Sequence, residues 1–125
     1  MRIVDVYNAS RSQLAPIRAR YCDSFACQLR GLTFRRSLHD GEGLLLVQKR
    51  ESRLESAIHM LGMWIDLAVV WIDCNFRVVD VKHARRWRPA YFPAQPARYI
   101  LETAVDRIND FKVGEYVRIE DSHIV

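Results

Sequence analysis

Five polar residues stand in or beside apolar stretches of the sequence, where an unpaired charge is costly. They are Arg30, Arg35, His59, Asp66 and Glu102. Arginine forms paired hydrogen bonds with carboxylates and phosphates, so these side chains predict the polar lining of a site for a small anionic ligand or a peptide. The structural alternative is an ion pair from an arginine to Glu102 or Asp66 that holds a helix on a sheet.

His59 together with Asp66 or Glu102 also allows a small metal-dependent hydrolase, because an imidazole and a carboxylate can exchange protons or bind a metal. The sequence has no HExxH spacing, no GxSxG motif and no glycine-rich phosphate loop. We therefore expect a non-catalytic protein and assign no catalytic residue, metal or cofactor. A hydrogen-bonded histidine at a strand end is the favoured interpretation of His59 on its own.

A basic and aromatic segment between Lys82 and Phe92 supplies a second set of candidates. Its contact residues are Lys82, Arg85, Arg86, Trp87, Arg88 and Tyr91. Bases of single-stranded nucleic acid stack on aromatic rings while cations neutralise the phosphates. The same composition also builds a loop whose rings cover a barrel end while its arginines stay in water. A single-stranded nucleic-acid or ribonucleoprotein accessory role is therefore the alternative function.

The three cysteines, Cys22, Cys27 and Cys74, are expected to be free and mostly packed thiols. Three cannot all pair within one chain, and the spacing of the first two is wrong for a CxxC motif. Free thiols suit a reducing compartment. Asp5 interrupts any signal peptide, and the apolar run 67–72 is too short to span a bilayer. We expect a cytoplasmic protein without a membrane partner.

Length and composition fit one domain over residues 1–125. Hydrophobic residues make up 50% of the chain and charged residues 27%, which is ordinary for a globular protein. The formal net charge of +4 suits an anionic partner but is small for a nucleic-acid-binding tail. A monomer and a homodimer are both compatible with the sequence, since a dimer needs only an exposed strand edge.

Hydrophobic patterns predict a mainly β chain, α+β at most. Six strands are expected near residues 2–8, 44–47, 65–72, 77–82, 99–103 and 116–119. Ser24 should cap a short helix that ends near Gly31, with one apolar stripe from Phe25 to Leu32. A second short helix is expected over 104–111. A closed or double-layered sheet follows, because such a sheet hides its strand edges.

Four short motifs follow one another along the chain. They are Arg30-Gly31-Leu32 with Gly43-Leu44-Leu45, Ile58-His59-Met60 with Val69-Val70-Trp71-Ile72-Asp73, Ala97-Arg98-Tyr99-Ile100-Leu101-Glu102, and Val113-Gly114-Glu115-Tyr116-Val117. Over about residues 20–119 their order and spacing resemble a family of uncharacterised proteins, the domain of unknown function 192. The resemblance implies a jelly-roll-like β sandwich or barrel with one or two short helices. It implies no function, because none is established for that family.

Two departures from the family pattern carry expectations. Where the family has an aspartate this chain has Ala68, and Asp66 on the same strand face supplies a carboxylate about 7 Å away. Where the family has a hairpin glycine this chain has Phe76. A bulky residue is strained at positive φ, so Asn75 is expected to adopt that conformation instead.

Overall fold

Seven strands and two short helices form the part of the chain that the computed structural model describes, residues 2–33 and 35–122, which confirms a mainly β fold. The strands are β1 (Ile3–Asn8), β2 (Ile17–Cys22), β3 (Glu42–Ser52), β4 (Leu67–Ile72), β5 (Val78–Ala84), β6 (Ala97–Thr103) and β7 (Val117–Asp121). Helix α1 spans Phe25–Arg30, and a 3₁₀ helix spans Val105–Asp110.

All seven strands belong to one sheet in the order β5-β4-β6-β3-β2-β1-β7. β2 and β3 run parallel and are joined through α1, whereas the other neighbours are antiparallel. The sheet curls until its two ends approach, since Val78 N donates to Glu115 O at 2.8 Å and Arg77 bridges to Tyr116. This half-barrel leaves few free strand edges, as the hydrophobic pattern predicts.

Side chains on the two faces of the sheet form two separate cores. The barrel face, to which every strand contributes, includes Val4, Leu45, Val70 and Leu101. The opposite face, here the pocket face, carries a core packed beneath α1 and the chain segment 53–66. All six residues of β4 are buried, which confirms the prediction of a strand covered on both faces.

Helix α1 begins and ends as its sequence predicts. The Ser24 hydroxyl accepts a hydrogen bond from Cys27 N at 3.1 Å, and Gly31 follows the last turn at φ 50. The predicted apolar stripe is only partly buried, because Phe25 is 82% and Leu29 63% exposed. Phe25 and Leu29 are four positions apart and so share one helix face, which lies in solvent, whereas Leu32 follows the helix and is buried.

The prediction of three free thiols is wrong for two of the cysteines. Cys22 at the end of β2 and Cys27 in α1 are joined by a disulfide. The intervening turn at the start of α1 brings their Cα atoms to 5.6 Å, within the range that a disulfide spans. Cys74 is free and exposed rather than packed. The thiols therefore no longer support the prediction of a reducing compartment.

The positive φ of the β4–β5 hairpin also falls on a different residue from the one expected. Phe76 has φ 63, whereas Asn75 is not among the residues with positive φ. The Phe76 ring stacks on Tyr99 at 5.3 Å between centroids. Asp73 Oδ1 accepts hydrogen bonds from Asn75 N and Arg77 N, which fixes the turn around Phe76. Stacking and turn hydrogen bonds together offset the backbone strain.

Strand β2 is not among the six strands that the hydrophobic pattern predicts. Its residues alternate between core and surface at the start, since Ile17 and Ala19 are buried while Arg18 is exposed. That alternation is the usual signal of a half-buried strand. Two arginines within six residues obscured the signal, although long arginine side chains can lie on the solvent side of a sheet.

Candidate functional site

A cavity of about 110 Å³ opens on the pocket face, beneath the end of α1. Its walls come from residues 28–33, the strands β3, β4 and β6, and the segment 55–63. Leu32, Leu46, Met60 and Met63 give it an apolar lining. Three of the five predicted site residues, Arg30, His59 and Glu102, also line it. The fold thus brings together side chains that are as many as 72 positions apart, from Arg30 to Glu102.

Glu102 forms the buried end of this cavity. It is the sixth of the seven residues of β6, paired in register with Leu44 on one side and Val69 on the other. Its side chain points to the pocket face, and the residue is only 6% exposed. Burial raises the pKa of its carboxyl to about 7, because a charged carboxylate loses water there without gaining a partner. The group is therefore poised between its acid and its carboxylate form near neutral pH.

Glu102 differs from the other polar residues that are buried in the described ranges. The side chains of Asn8, Ser56 and Thr103 all make hydrogen bonds to the protein. Among residues 2–33 and 35–122, the Glu102 carboxyl has no hydrogen-bond partner within the protein. Two buried side-chain atoms of the described residues also lack a partner, Arg20 Nε and Ser122 Oγ, but neither residue lines this cavity. Buried polar groups are nearly always paired, so an unpaired carboxyl that borders a cavity points to a partner from outside the chain.

Arg30 and His59 lie at the open end of the cavity. Both residues are exposed although they line it, whereas Glu102 is buried. Within the described part of the chain, neither side chain forms an ion pair with an acid. The cavity thus has an acid at its inner end and a cation and an imidazole at its mouth. That arrangement can hold a small molecule with a donor at one end and a negative charge at the other.

Arg35 and Asp66 lie outside this cavity. Arg35 forms a two-pronged ion pair with Glu42 at 2.9 and 3.1 Å. Burial alone would raise the pKa of Glu42, but the hydrogen bonds from Arg35 and from His39 N lower it by more. Arg35 thus forms a structural ion pair, the alternative to a ligand-binding role, although its partner is Glu42 rather than the predicted Glu102 or Asp66.

Asp66 immediately precedes β4 and is bound on both oxygens. Arg86 N donates to Oδ1 at 2.9 Å, and the imidazole of His83 lies 3.0 Å from Oδ2. The Arg86 N–H and then the His83 contact lower the pKa of Asp66. His83 is paired with Ala68 across the β4–β5 ladder. Through its contact with His83, the Asp66 carboxylate therefore lies near position 68, where the family pattern has an aspartate.

Sequence reasoning missed the polar residues that complete the cavity wall. Gln28 in α1 donates from its side-chain amide to Val47 O at 2.8 Å and to Cys22 O at 3.2 Å. Gln48 and Thr33 also line the cavity. Nothing in their spacing marks them, because polar residues on helices and strand ends usually face water. Gln28 and the disulfide together fix the position of α1 over the sheet.

The basic and aromatic segment is divided between inward and outward side chains. Tyr91 packs against the core of the pocket face, and its hydroxyl accepts from Arg85 N at 2.9 Å. The Lys82 ammonium lies 3.5 Å from the carboxylate of Asp80. Arg85, Arg86, Trp87 and Arg88 are exposed. The outward residues alone remain available for a partner.

The described residues contain neither a cluster of metal ligands nor a helix that could cross a membrane. No group of three or more histidine, cysteine, aspartate or glutamate side chains there is arranged to hold a metal ion. No helix in residues 2–33 and 35–122 is both long enough and apolar enough to cross a lipid bilayer.

A family model and several curated relatives match most of this chain. A family model described as "DUF192: Uncharacterized ACR" matches residues 6–120. A UPF0127 protein of Thermococcus gammatolerans is 36% identical over 110 residues, covering 88% of this chain and 70% of that protein. A UPF0127 protein of Pyrococcus horikoshii is 34% identical over 97 residues, covering 78% and 81% of the two chains.

Two crystal structures share the fold. A protein of unknown function from Novosphingobium aromaticivorans has a TM-score of 0.77 at 22% identity, covering 93% of this chain and 83% of that one. A protein from Sinorhizobium meliloti has a TM-score of 0.78 at 16% identity, covering 94% and 92%. At these identities the likeness concerns the fold alone.

Proposed function

The chain belongs to the uncharacterised family DUF192, and from the geometry of its cavity we propose that it is a binding module for a small organic anion. Glu102 carries this proposal, because its buried carboxyl borders the cavity and has no partner among the described residues. A group with so costly a burial is expected to be completed by a ligand.

The size of the cavity limits the ligand. Pockets for drug-sized molecules measure roughly 300–1,000 Å³. The volume here, about 110 Å³, suits a molecule with few heavy atoms or one side chain of a peptide. The apolar walls made by Leu46, Met60 and Met63 favour a short carbon chain between the two polar ends.

The chemistry at the two ends defines the ligand class. Arg30 at the mouth attracts a carboxylate or phosphate, and His59 beside it offers a further hydrogen bond. Glu102 at the inner end accepts a hydrogen bond from a hydroxyl or amino group when ionised, and donates one when protonated. A hydroxy acid or an amino acid supplies both groups in one small molecule.

A thermal-shift screen tests this proposal. The panel holds short hydroxy acids, amino acids and three-carbon phosphates, each at pH 6 and pH 8. A ligand at a hundred times its Kd adds about 2.7 kcal/mol to the free energy of unfolding, which raises Tm by several degrees. We expect a shift in the wild type that Arg30→Ala and Glu102→Gln both reduce.

Arg35→Ala is the matched control, because it removes the same charge from a residue outside the cavity. It should leave the ligand-induced shift unchanged. A shift that persists in both Arg30→Ala and Glu102→Gln would place the ligand elsewhere and refute the site. No shift with any compound of the panel would refute the ligand class.

A further inference from the structure

Two tryptophans form an exposed pair on a surface that small-ligand binding does not use. The rings of Trp64 and Trp87 meet edge to face, with centroids 5.9 Å apart and an interplanar angle of 89°. Trp64 is 44% and Trp87 49% exposed. We call these two residues the Trp platform. Large rings half in water leave apolar area uncovered, so the platform has surface to offer a partner.

The backbone holds Trp87 in a conformation that is rare for a bulky residue. Its φ is 67, in the left-handed region where glycine is favoured. Trp87 N donates to Met60 O at 2.8 Å, and Met60 N donates to Arg88 O at 2.9 Å, so two backbone hydrogen bonds fix the turn. Phe76 has a similar φ but stacks on Tyr99. Trp87 instead contacts the half-exposed Trp64 ring and is itself 49% exposed, and backbone strain of this kind is typical of functional positions.

Arginines surround the Trp platform. The Arg36 guanidinium lies 5.1 Å from the centre of the Trp64 ring, and Arg86 Nη1 lies 3.5 Å from Trp64 O. Arg85 and Arg88 flank Trp87 in sequence and are exposed. Within residues 2–33 and 35–122, none of these four guanidinium groups is paired with an acid. The adjacent carboxylate, Asp66, is already bound on both oxygens.

A surface hollow of about 400 Å³ continues from this cluster. Arg36 and Arg86 both line it, together with the apolar side chains of Leu38 and Ile65 and with Asp66, whose two oxygens are bound by Arg86 N and His83. The hollow is shallow, and its two cations lie next to the rings. The Trp platform and the hollow together therefore present aromatic rings and positive charge next to each other.

We propose that the Trp platform and its arginines bind single-stranded nucleic acid. A base stacks on the exposed face of a tryptophan while Arg36 and Arg86 contact the phosphates that flank it. Single strands fit better than duplexes, because only unpaired bases present a free face to the rings. The contacts are to rings and phosphates, so little dependence on base sequence is expected.

Trp87→Gly is the sharpest variant for testing this proposal. Glycine adopts a φ of 67 without strain, so the variant removes the ring and keeps the turn. Binding is measured by fluorescence anisotropy of labelled 12-nucleotide dT and U oligonucleotides. We expect Trp87→Gly to weaken binding about 10-fold or more, the effect of losing one stacked base. For three phosphate contacts, raising salt from about 50 to 200 mM should weaken it about 20-fold.

The matched control for the arginines is Arg77→Ala. Arg77 precedes β5, whereas Arg85 follows the other end of that strand. Arg77→Ala therefore removes one exposed charge at a distance from the Trp platform. Arg36→Ala should weaken binding several-fold and Arg77→Ala should not. Absence of binding at low salt would overturn the proposal. So would equal affinity for a duplex or for polyphosphate, or retention of full affinity in both Trp87→Gly and Trp64→Ala.

Discussion

Buried polar groups near Asn8 and at Glu102 differ in their hydrogen bonds. The first group is fully paired within the protein, and the Glu102 carboxyl is unpaired among the described residues. The Asn8 cluster, where β1 ends, consists of Asn8, Arg11 and Glu115 with the carbonyl of Asp110. The Asn8 amide donates to Asp110 O and to Glu115, and its oxygen accepts from Ser10 N and Arg11 N. Burial would raise the pKa of Glu115, but the hydrogen bonds from Arg11 and Asn8 lower it by more.

The Glu102 cavity lacks such partners. Its carboxyl is more buried than that of Glu115, and nothing in the described chain donates to it. Burial alone then decides its pKa, which rises to about 7. The Asn8 cluster is a structural tie, since it joins β1 to the turn before β7. The Asn8 cluster is therefore expected to stabilise the fold, whereas the buried carboxyl of Glu102 is expected to cost stability when it is ionised.

The largest effect is expected from breaking the Asn8 cluster. Asn8→Ala removes the four hydrogen bonds of the Asn8 side chain, and Arg11 N keeps only its backbone bond to Asn8 O at 3.3 Å. At about 1 kcal/mol each, the free energy of unfolding should fall by about 4 kcal/mol. Urea unfolding measures this loss. A loss below about 1 kcal/mol would show that water takes over the hydrogen bonds of the Asn8 side chain. The Asn8 cluster and Glu102 would then not differ in their contribution to stability.

Substitution of Glu102 is expected to raise the free energy of unfolding, whereas substitution of Asn8 lowers it. Below its ordinary pKa of 4.5 both folded and unfolded chains carry the proton, and between 4.5 and about 7 only the folded chain keeps it. The free energy of unfolding therefore falls as pH rises through this window, by about 3 kcal/mol at most. Glu102→Gln should equal the wild type near pH 4.5 and exceed it in stability at pH 8, as measured by urea unfolding.

Glu115→Gln is the paired control for this pH dependence. The pKa of Glu115 is lowered in the folded chain, so its contribution to stability is present above the unfolded pKa and disappears as pH falls. The variant should lose stability at neutral pH and lose little in acid. If Glu102→Gln followed the same profile, the carboxyl of Glu102 would have a partner in the folded protein.

Reduction of the disulfide is expected to lower the free energy of unfolding by a smaller amount. The bond lies on the same face of the sheet as the Glu102 cavity and outside the Asn8 cluster. Cys22 and Cys27 are five positions apart and fix α1, whose last turn covers the cavity. Reduction of a Cys74→Ser variant should lower the free energy of unfolding by about 2 kcal/mol, given the short loop that is closed. Hydrogen exchange should increase in residues 25–33 and stay unchanged in β1. Equal increases in both regions would contradict this.

The sequence predicted much of the fold because its signals are local. The buried strand β4, the cap at Ser24 and the two short helices follow from patterns within a few residues. The position of positive φ did not follow, because the stacking of Phe76 on Tyr99 joins residues far apart in sequence. The Cys22–Cys27 bond was likewise hidden, since the turn geometry and not the spacing decides it.

For the candidate site, residue types determined which side chains deserved scrutiny, and packing determined their roles. Charges in apolar surroundings singled out Arg30, Arg35, His59, Asp66 and Glu102. Arg35 and Asp66 acquired partners within the chain, and three others share a cavity. The Trp64–Trp87 contact depends on two segments that meet only in the folded chain.

The sequence by itself determined the mainly β class, the family and the list of polar residues in costly places, because hydrophobic periodicity and residue chemistry are local properties. Only the tertiary structure decided which of those residues remain unpaired. Pairing depends on what the other strands and loops bring within hydrogen-bonding distance, and in the described chain they bring Arg35 to Glu42 and bring nothing to Glu102.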